Sequence, residues 1–324
     1  MIYEKKLKKS CIDNKMLSRA LQNIKKKAYQ EGEYIHDEHQ YLSLINDIID
    51  VGDKINGRNG VALTVGGCAM HFSLEHGRIP LLTTKKVAVK TCLRELLWFI
   101  SGSTNNEALQ RQNVKIWDGN ASREFLDSRG LDHLDVNDLG PVYGHQWRHF
   151  NAPYQSCQSD YSDQGVDQLA WVIEQLNDPQ KRKSRRIVMS AWNPCQIDEM
   201  ALPPCHVLVQ FNVLYGNKLS CSLFQRSGDV GLGVPFNIAS YSFLTHLLAK
   251  HCGLEAYEFN YHLGNCHIYD DHIEALREQM QRKPHEFPTV TVKTQHKDIN
   301  DYGVQDFEVS NYVCHDPIKM SMRK

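Results

Sequence analysis

Three strand-like runs crowd the middle of this chain: RRIVMSAW (185–192), HVLVQFNV (206–213) and KLSCSLFQR (218–226). A long apolar helix through IASYSFLTHLLAKHCG follows them directly. Strands rich in Val, Leu and Phe need a covering layer, and a helix with so few charges is itself a core element. The arrangement predicts an α+β fold with a mixed, mostly antiparallel sheet packed by helices.

Further elements fit that frame. Tyr41, Leu44, Ile45, Ile48 and Ile49 form one helical stripe in QYLSLINDIIDVG, with Gly52 as the stop. After a turn-rich INGRNG, VALTVGGCAMHFSL alternates as a strand. VAVKTCLRELLWFISG reads as a buried helix ended by Gly102, and VDQLAWVIEQLNDP as an amphipathic helix stopped at Asn177-Asp178-Pro179. YEFNYHLG predicts a strand, HIEALREQM a helix, and TVTVK and DFEV short strands. No repeat or linker divides the chain, so residues 38–324 are expected to form one domain. Residues 1–37 carry KK at 5–6 and 8–9 and KKK at 25–27, and read as a basic arm.

Composition narrows the function classes. A net charge of −1 gives no general attraction to nucleic acid or to an anionic membrane. Apolar stretches such as LLWFI are too short to span a bilayer, and the amino-terminal segment has no apolar core of a secretory signal. The ten cysteines contain no CxxC pair and show no zinc spacing, so free thiols in a reducing, cytoplasmic setting are expected, with a nuclear location also open. HIYDDH lacks the further ligands of a metal site, and no metal is expected.

Several positions carry chemistry while leaving two readings open. Cys205, in ALPPCHVLVQF, is a nucleophile or a buried structural thiol; if a strand begins here, His206 points to the other face and is not its base. Arg226 and Ser227 open the glycine-broken QRSGDVGLGVPFN, which is an anion site or a polar hairpin end. Asn237 precedes the long helix as an N-cap or as a ligand reader. Arg185 and Arg186 reach one anion together only if both lie in a loop before their strand, and a solvated pair is the alternative. Glu95, beside Trp98 and Phe99 on a helix, is a carboxylate of raised pKa that passes protons, or a surface residue reaching water. Trp117, Asp118 and Tyr143 lie in glycine-flanked aromatic segments that also suit a core. His267 and Tyr269 would share one side of an extended segment, and Lys85 with Lys86 would begin a helix as a solvated pair.

In order along the chain, PLLTTKKV, RELLWFISGSTN, VKIWDGN, DLGPVYGHQWRHF, SRRIVMSAWNP, ALPPCHVLVQF, LSCSLFQRSGDVGLGVPFNIASY and HIYDDHIEAL resemble the thymidylate synthase family. The resemblance spans roughly residues 39–320. It implies a homodimer with sheets packed back to back, converting dUMP to dTMP with 5,10-methylenetetrahydrofolate as one-carbon and hydride donor. Carried onto matching positions, Cys205 adds to C6 of the pyrimidine and Arg226 favours the thiolate while holding phosphate. Arg58, Ser227, and Arg185 and Arg186 from the partner subunit complete the phosphate site. Asp229 and Asn237 orient the base, and His267 and Tyr269 meet the deoxyribose. Glu95 relays protons and Tyr143 assists at C5. Ile116, Trp117, Asp118, Leu232, Gly233 and Phe236 surround the folate, and Lys85 meets its glutamate tail.

This sequence departs from the family pattern in three places: RNGVAL replaces a Thr- and Gly-rich loop, GNCHIY puts Asn265 where an acid is usual, and IKMSMRK replaces a small apolar ending. Those departures keep a dUMP or, less in keeping with Asn237, dCMP 5-hydroxymethylase open as the rival reaction. A non-enzymatic RNA-binding role is not expected as the main function.

Overall fold

The computed structural model describes residues 36–323 apart from Arg58. The basic-arm reading of residues 1–35, the terminal Lys324 and the proposed contribution of Arg58 therefore lie outside the described residues. At the boundary drawn at residue 38, the His36 ring packs on Phe287 at 4.4 Å. Glu38 is fully buried, its carboxylate accepting from the amide and hydroxyl of both Thr83 and Thr84 at 2.6–2.9 Å.

The strands are β1 (Asp53–Gly57), β2 (Gly60–Ser73), β3 (Val188–Ser190), β4 (His206–Leu214), β5 (Lys218–Asp229), β6 (Glu255–Tyr269), β7 (Thr289–Val292) and β8 (Phe307–Ser310). The first six form one sheet in the order β1-β2-β6-β5-β4-β3; only β5 and β6 run parallel. β7 and β8 form a separate antiparallel pair. The helices are α1 (His39–Val51), α2 (Val89–Ile100), α3 (Glu107–Gln110), α4 (Arg123–Ser128), α5 (Tyr143–Arg148), α6 (Gln168–Asn177), α7 (Gly233–His251) and α8 (Ile273–Met280). α7 is buried from Val234 to Ala249 save Phe236, so it has no polar face to give water and lies in the core against β5 and β6. The mixed, mostly antiparallel α+β architecture read from the sequence is the one observed. No helix among the described residues is long and apolar enough to cross a membrane.

Five local readings change. INGRNG is not only a turn: Asp53–Gly57 is an edge strand with all five residues exposed, so it has no buried face to leave an alternating signature. β5 runs through Ser227 to Asp229, where a loop was expected, because those residues pair with Asn265 and His267. β6 likewise absorbs His267 and Tyr269. α7 begins at Gly233, which puts Asn237 in its second turn; the N-cap position belongs to Leu232 and the capping reading of Asn237 is corrected. RRIVMSAW contributes only three strand residues, with Arg185 and Arg186 exposed in the turn before them.

Candidate active site

The tandem prolines explain how Cys205 is presented. Cys205 immediately precedes β4, and its carbonyl accepts from the Arg226 amide at 2.9 Å, so the β4–β5 pairing sets the two residues opposite each other. Arg226 Nε donates to the Pro204 carbonyl and Nη2 to the Pro203 carbonyl, both at 2.8 Å. Its guanidinium also lies 5.6 Å from the centre of the Trp192 ring. The planar fork is thus fixed on one side by carbonyls, which do not neutralise its charge, on the residue whose backbone pairs with Cys205.

Behind the thiol the site is dry. Tyr143 Oη accepts the Cys205 amide at 2.8 Å and lies 3.4 Å from the His206 amide. Burial pushes the Tyr143 phenol well up, so it stays protonated and acts as a hydrogen-bonding hydroxyl rather than a phenolate. His206 is buried between the rings of Tyr143 and Tyr241, at 5.0 and 5.2 Å. Burial pulls its imidazole down to about 4, so it is neutral at physiological pH.

Asn237 is held by a residue the sequence did not single out. Gln225, 2% exposed, accepts from Tyr261 Oη at 2.6 Å and donates to the Ser227 carbonyl at 2.8 Å and to Asn237 Oδ1 at 3.0 Å. Because Gln225 must turn its NH2 toward two oxygens, the Asn237 amide has a fixed orientation, with Oδ1 toward Gln225 and Nδ2 away. The sequence signal for Gln225 was strand alternation alone, which turns it to the face opposite Arg226.

Glu95, on α2, is 7% exposed and accepts from Trp117 Nε1 at 2.7 Å. Burial raises its carboxyl to about 7, and the Trp117 bond only partly offsets this. Trp117 sits 6.1 Å from Trp98 and 6.2 Å from Tyr143. Ile116 and Phe236 are only partly covered by the core, leaving apolar surface open. Asp118 accepts from Asn106 and Gln110, at 3.0 and 2.9 Å.

The loop after β5 is built around Asp229. Its Oδ1 accepts from the amides of Gly231 and Leu232, at 2.9 and 3.3 Å, shaping the entry to α7 at Gly233. Lys85 is 6% exposed, and its ammonium donates to the Gly231 carbonyl. Burial pulls it down to about 8, with nearby Asp229 opposing. The solvated lysine at a helix start is therefore corrected: this ammonium braces the loop, whereas Lys86 is exposed. His267 Nδ1 meets Asn265 Oδ1 at 3.0 Å, which places the ring proton on Nδ1 and leaves Nε2 as acceptor. Its ring lies 5.2 Å from that of Tyr269. The tail reaches this end of the site too: His272 Nε2 donates to the Ser321 carbonyl at 2.8 Å, and Arg323 pairs with Asp270 and Asp271 at 3.3 and 2.9 Å.

Arg185 and Arg186 do not join this cluster within one chain. Val188 pairs with Gln210, five residues along β4 from Cys205, or roughly 17 Å at strand rise. Among the described residues, no group of His, Cys, Asp and Glu is arranged to hold a metal ion.

The thymidylate synthase profile matches residues 39–324. The chain belongs to the thymidylate synthase family. It is 52% identical over 289 residues to a bifunctional dihydrofolate reductase-thymidylate synthase of Plasmodium chabaudi, covering 89% of this chain and 49% of that protein. The same kind of bifunctional protein from Paramecium tetraurelia is 50% identical over 306 residues, covering 93% of this chain and 65% of the relative. A probable thymidylate synthase of Schizosaccharomyces pombe is 51% identical over 297 residues, covering 88% and 47%. The chain thus spans about half to two thirds of the length of these family members.

Proposed function

We propose that this chain converts dUMP to dTMP, taking the carbon and the hydride from 5,10-methylenetetrahydrofolate and releasing dihydrofolate. The observation that carries the reading is the Cys205–Arg226 backbone pairing across β4 and β5, which sets the cysteine opposite an arginine whose guanidinium is fixed by two carbonyls. A nearby cation favours the thiolate, the form able to add to C6 of the pyrimidine. Arg226 and Ser227 hold the phosphate in this reading, with Arg58 as a further ligand. His267 and Tyr269 take the deoxyribose hydroxyl, and Asp229 with Asn237 orients the base.

Addition at C6 turns C5 into a nucleophile and loads negative charge on O4. A carboxyl near neutrality can give and take protons there, which suits Glu95 for the relay. Tyr143, kept protonated, donates a hydrogen bond near C5 and does not act as a strong base by itself. Ile116, Trp117, Leu232 and Phe236 supply an apolar wall for the folate, with Asp118 and Gly233 at its edge. Lys85 contributes by holding Gly231 against that wall.

A homodimer belongs to the same proposal. On the outer face of the sheet, Leu208 and Phe224 pair across β4 and β5, and Val188 lies one strand further, 38%, 41% and 38% exposed. An apolar row on an uncovered sheet face fits a second copy packed against it. Arg185 and Arg186, exposed beside this face, then reach the partner's phosphate site.

Mixing the chain with dUMP and methylenetetrahydrofolate should give dihydrofolate in equal amount to dTMP, followed by absorbance and product analysis. Tetrahydrofolate with 5-hydroxymethyl-dUMP would establish the rival hydroxymethylation instead, and neither product would refute both.

Glu95 makes a pH prediction. Its folded-state carboxyl titrates near 7, above the unfolded value of ~4.3. Stability linked to this raised group is fully present below the unfolded value and is lost as pH rises through 7. Glu95→Gln keeps an oxygen for Trp117 and removes the titration. The variant should lose about 10²–10⁴-fold in kcat, while its unfolding midpoint declines less than the parent's between pH 5 and 7.5, about the window those two values define. Parallel denaturation curves for both proteins would count against a buried, titrating Glu95.

A further inference from the structure

Three segments distant in sequence meet beside Trp117 through a clamp of side-chain amides that the reaction above leaves unused. Asn106 precedes α3 and Gln110 is its last residue, four positions on and so on the same helical face. Asn106 Nδ2 donates to Asp118 Oδ1 at 3.0 Å and to Asn137 Oδ1 at 3.2 Å. Gln110 Nε2 donates to the same two oxygens, at 2.9 and 3.2 Å. Two NH2 groups thus converge on two oxygens.

The carboxylate fixes every orientation in the clamp. A carboxylate oxygen accepts, so Asn106 and Gln110 both turn their NH2 groups toward Asp118. Those groups then also face Asn137, which must answer with its own oxygen. The pose leaves a buried acceptor unserved: Asn106 is fully buried, and its Oδ1 has no hydrogen-bond partner among the described residues. Turning that amide over would only set its oxygen against those of Asp118 and Asn137.

The backbone is tied at the same place. The Asn106 amide donates to the Asn137 carbonyl at 2.9 Å, and the Asn137 amide to the Ala121 carbonyl at 3.0 Å. The amides of Asn120 and Ala121 both donate to the Trp117 carbonyl at 3.0 Å. Asn137 holds φ +73°, a left-handed conformation that asparagine tolerates. The Trp117–Asp118 pair is therefore held at the Trp117 carbonyl, at one oxygen of Asp118 and, through the indole, at Glu95. Asp118 Oδ2 has no hydrogen bond among the described residues.

We propose that Asn106 and Gln110 are positioning residues for the folate: they lock Asp118 so that Trp117 keeps its place in the apolar wall and the second carboxylate oxygen stays open to a donor on the folate. This rests on the reading under Proposed function. None of the clamp's hydrogen bonds reaches Arg226, Asn237 or His267, so its loss should fall on the folate and spare dUMP.

Gln110 is exposed and can be changed without opening the core. Gln110→Glu replaces the donors by an acceptor that repels Asp118. Its KM for 5,10-methylenetetrahydrofolate should rise about tenfold, the scale of one hydrogen bond to a charged group. kcat and the calorimetric affinity for dUMP should stay within about twofold of the parent. Gln110→Lys restores a donor toward Asp118 and should bring KM back to within about threefold. Asn106→Ala should raise the same KM at least as far as Gln110→Glu; if it folds poorly, the two Gln110 variants decide. An unchanged KM in Gln110→Glu, or equal losses in Gln110→Glu and Gln110→Lys, would overturn the clamp. Calorimetric binding of tetrahydrofolate to the dUMP-loaded protein, which needs no turnover, separates the two readings. A parent that binds none would refute the proposed reaction and the clamp together. A parent that binds it no more tightly than Gln110→Glu would refute the clamp alone.

Discussion

Cys205→Ser should lower turnover by on the order of 10⁴-fold or more while dUMP binding stays within about threefold of the parent. The expectation follows from what holds this residue. Its amide donates to Tyr143 and its carbonyl accepts from Arg226, so the contacts that define its position are made by backbone and survive the exchange. Arg226 keeps its two proline carbonyls, and its guanidinium stays where it was. What disappears is the sulfur nucleophile. A serine hydroxyl beside Arg226 remains neutral, and His206, neutral and turned behind the strand, is not placed to activate it. Calorimetric titration with dUMP and a burst-free dihydrofolate assay would read the two effects separately. Turnover above roughly one per cent of the parent would remove Cys205 from the role of nucleophile.

The same residues show where sequence reasoning reached and where it stopped. The inner strands and α7 announced themselves, because apolar alternation and an apolar helix without charges have few alternatives. Strand alternation also placed His206 away from the Cys205 side. β1 was hidden because an edge strand with both faces in water needs no pattern. The helix start was misplaced because Gly and Pro in GVPFN resemble a loop, although proline is well tolerated in a first helical turn. Asn237 could be read as a cap or as a reader until the helix was seen to begin at Gly233. Lys85 looked like a surface ammonium, since nothing in LLTTKK announces a carbonyl 146 residues away that receives it. Gln225 was invisible for the same reason: its value lies in Tyr261 and Asn237, contacts made across a folded sheet.

Asn237→Asp should cut kcat/KM for dUMP by about 1–3 kcal/mol, roughly five- to 150-fold, and improve binding of dCMP relative to dUMP. Gln225 fixes Asn237 with Oδ1 on one side and Nδ2 on the other. An amide in that pose accepts from uracil N3–H with the remaining lone pair of Oδ1 and donates to O4 from Nδ2. Aspartate replaces the donor by an acceptor, which meets O4 unfavourably and the cytosine amino group favourably. The interior control is built into the exchange, because an aspartate oxygen still accepts from Gln225. Asn237 is 9% exposed, so the new carboxylate also carries a burial cost that thermal unfolding of the unliganded proteins would record. Comparing dUMP and dCMP at equal stability loss cancels that cost, leaving base recognition alone. An unchanged ratio of the two affinities would mean that Asn237 holds the sheet to the helix and does not read the base.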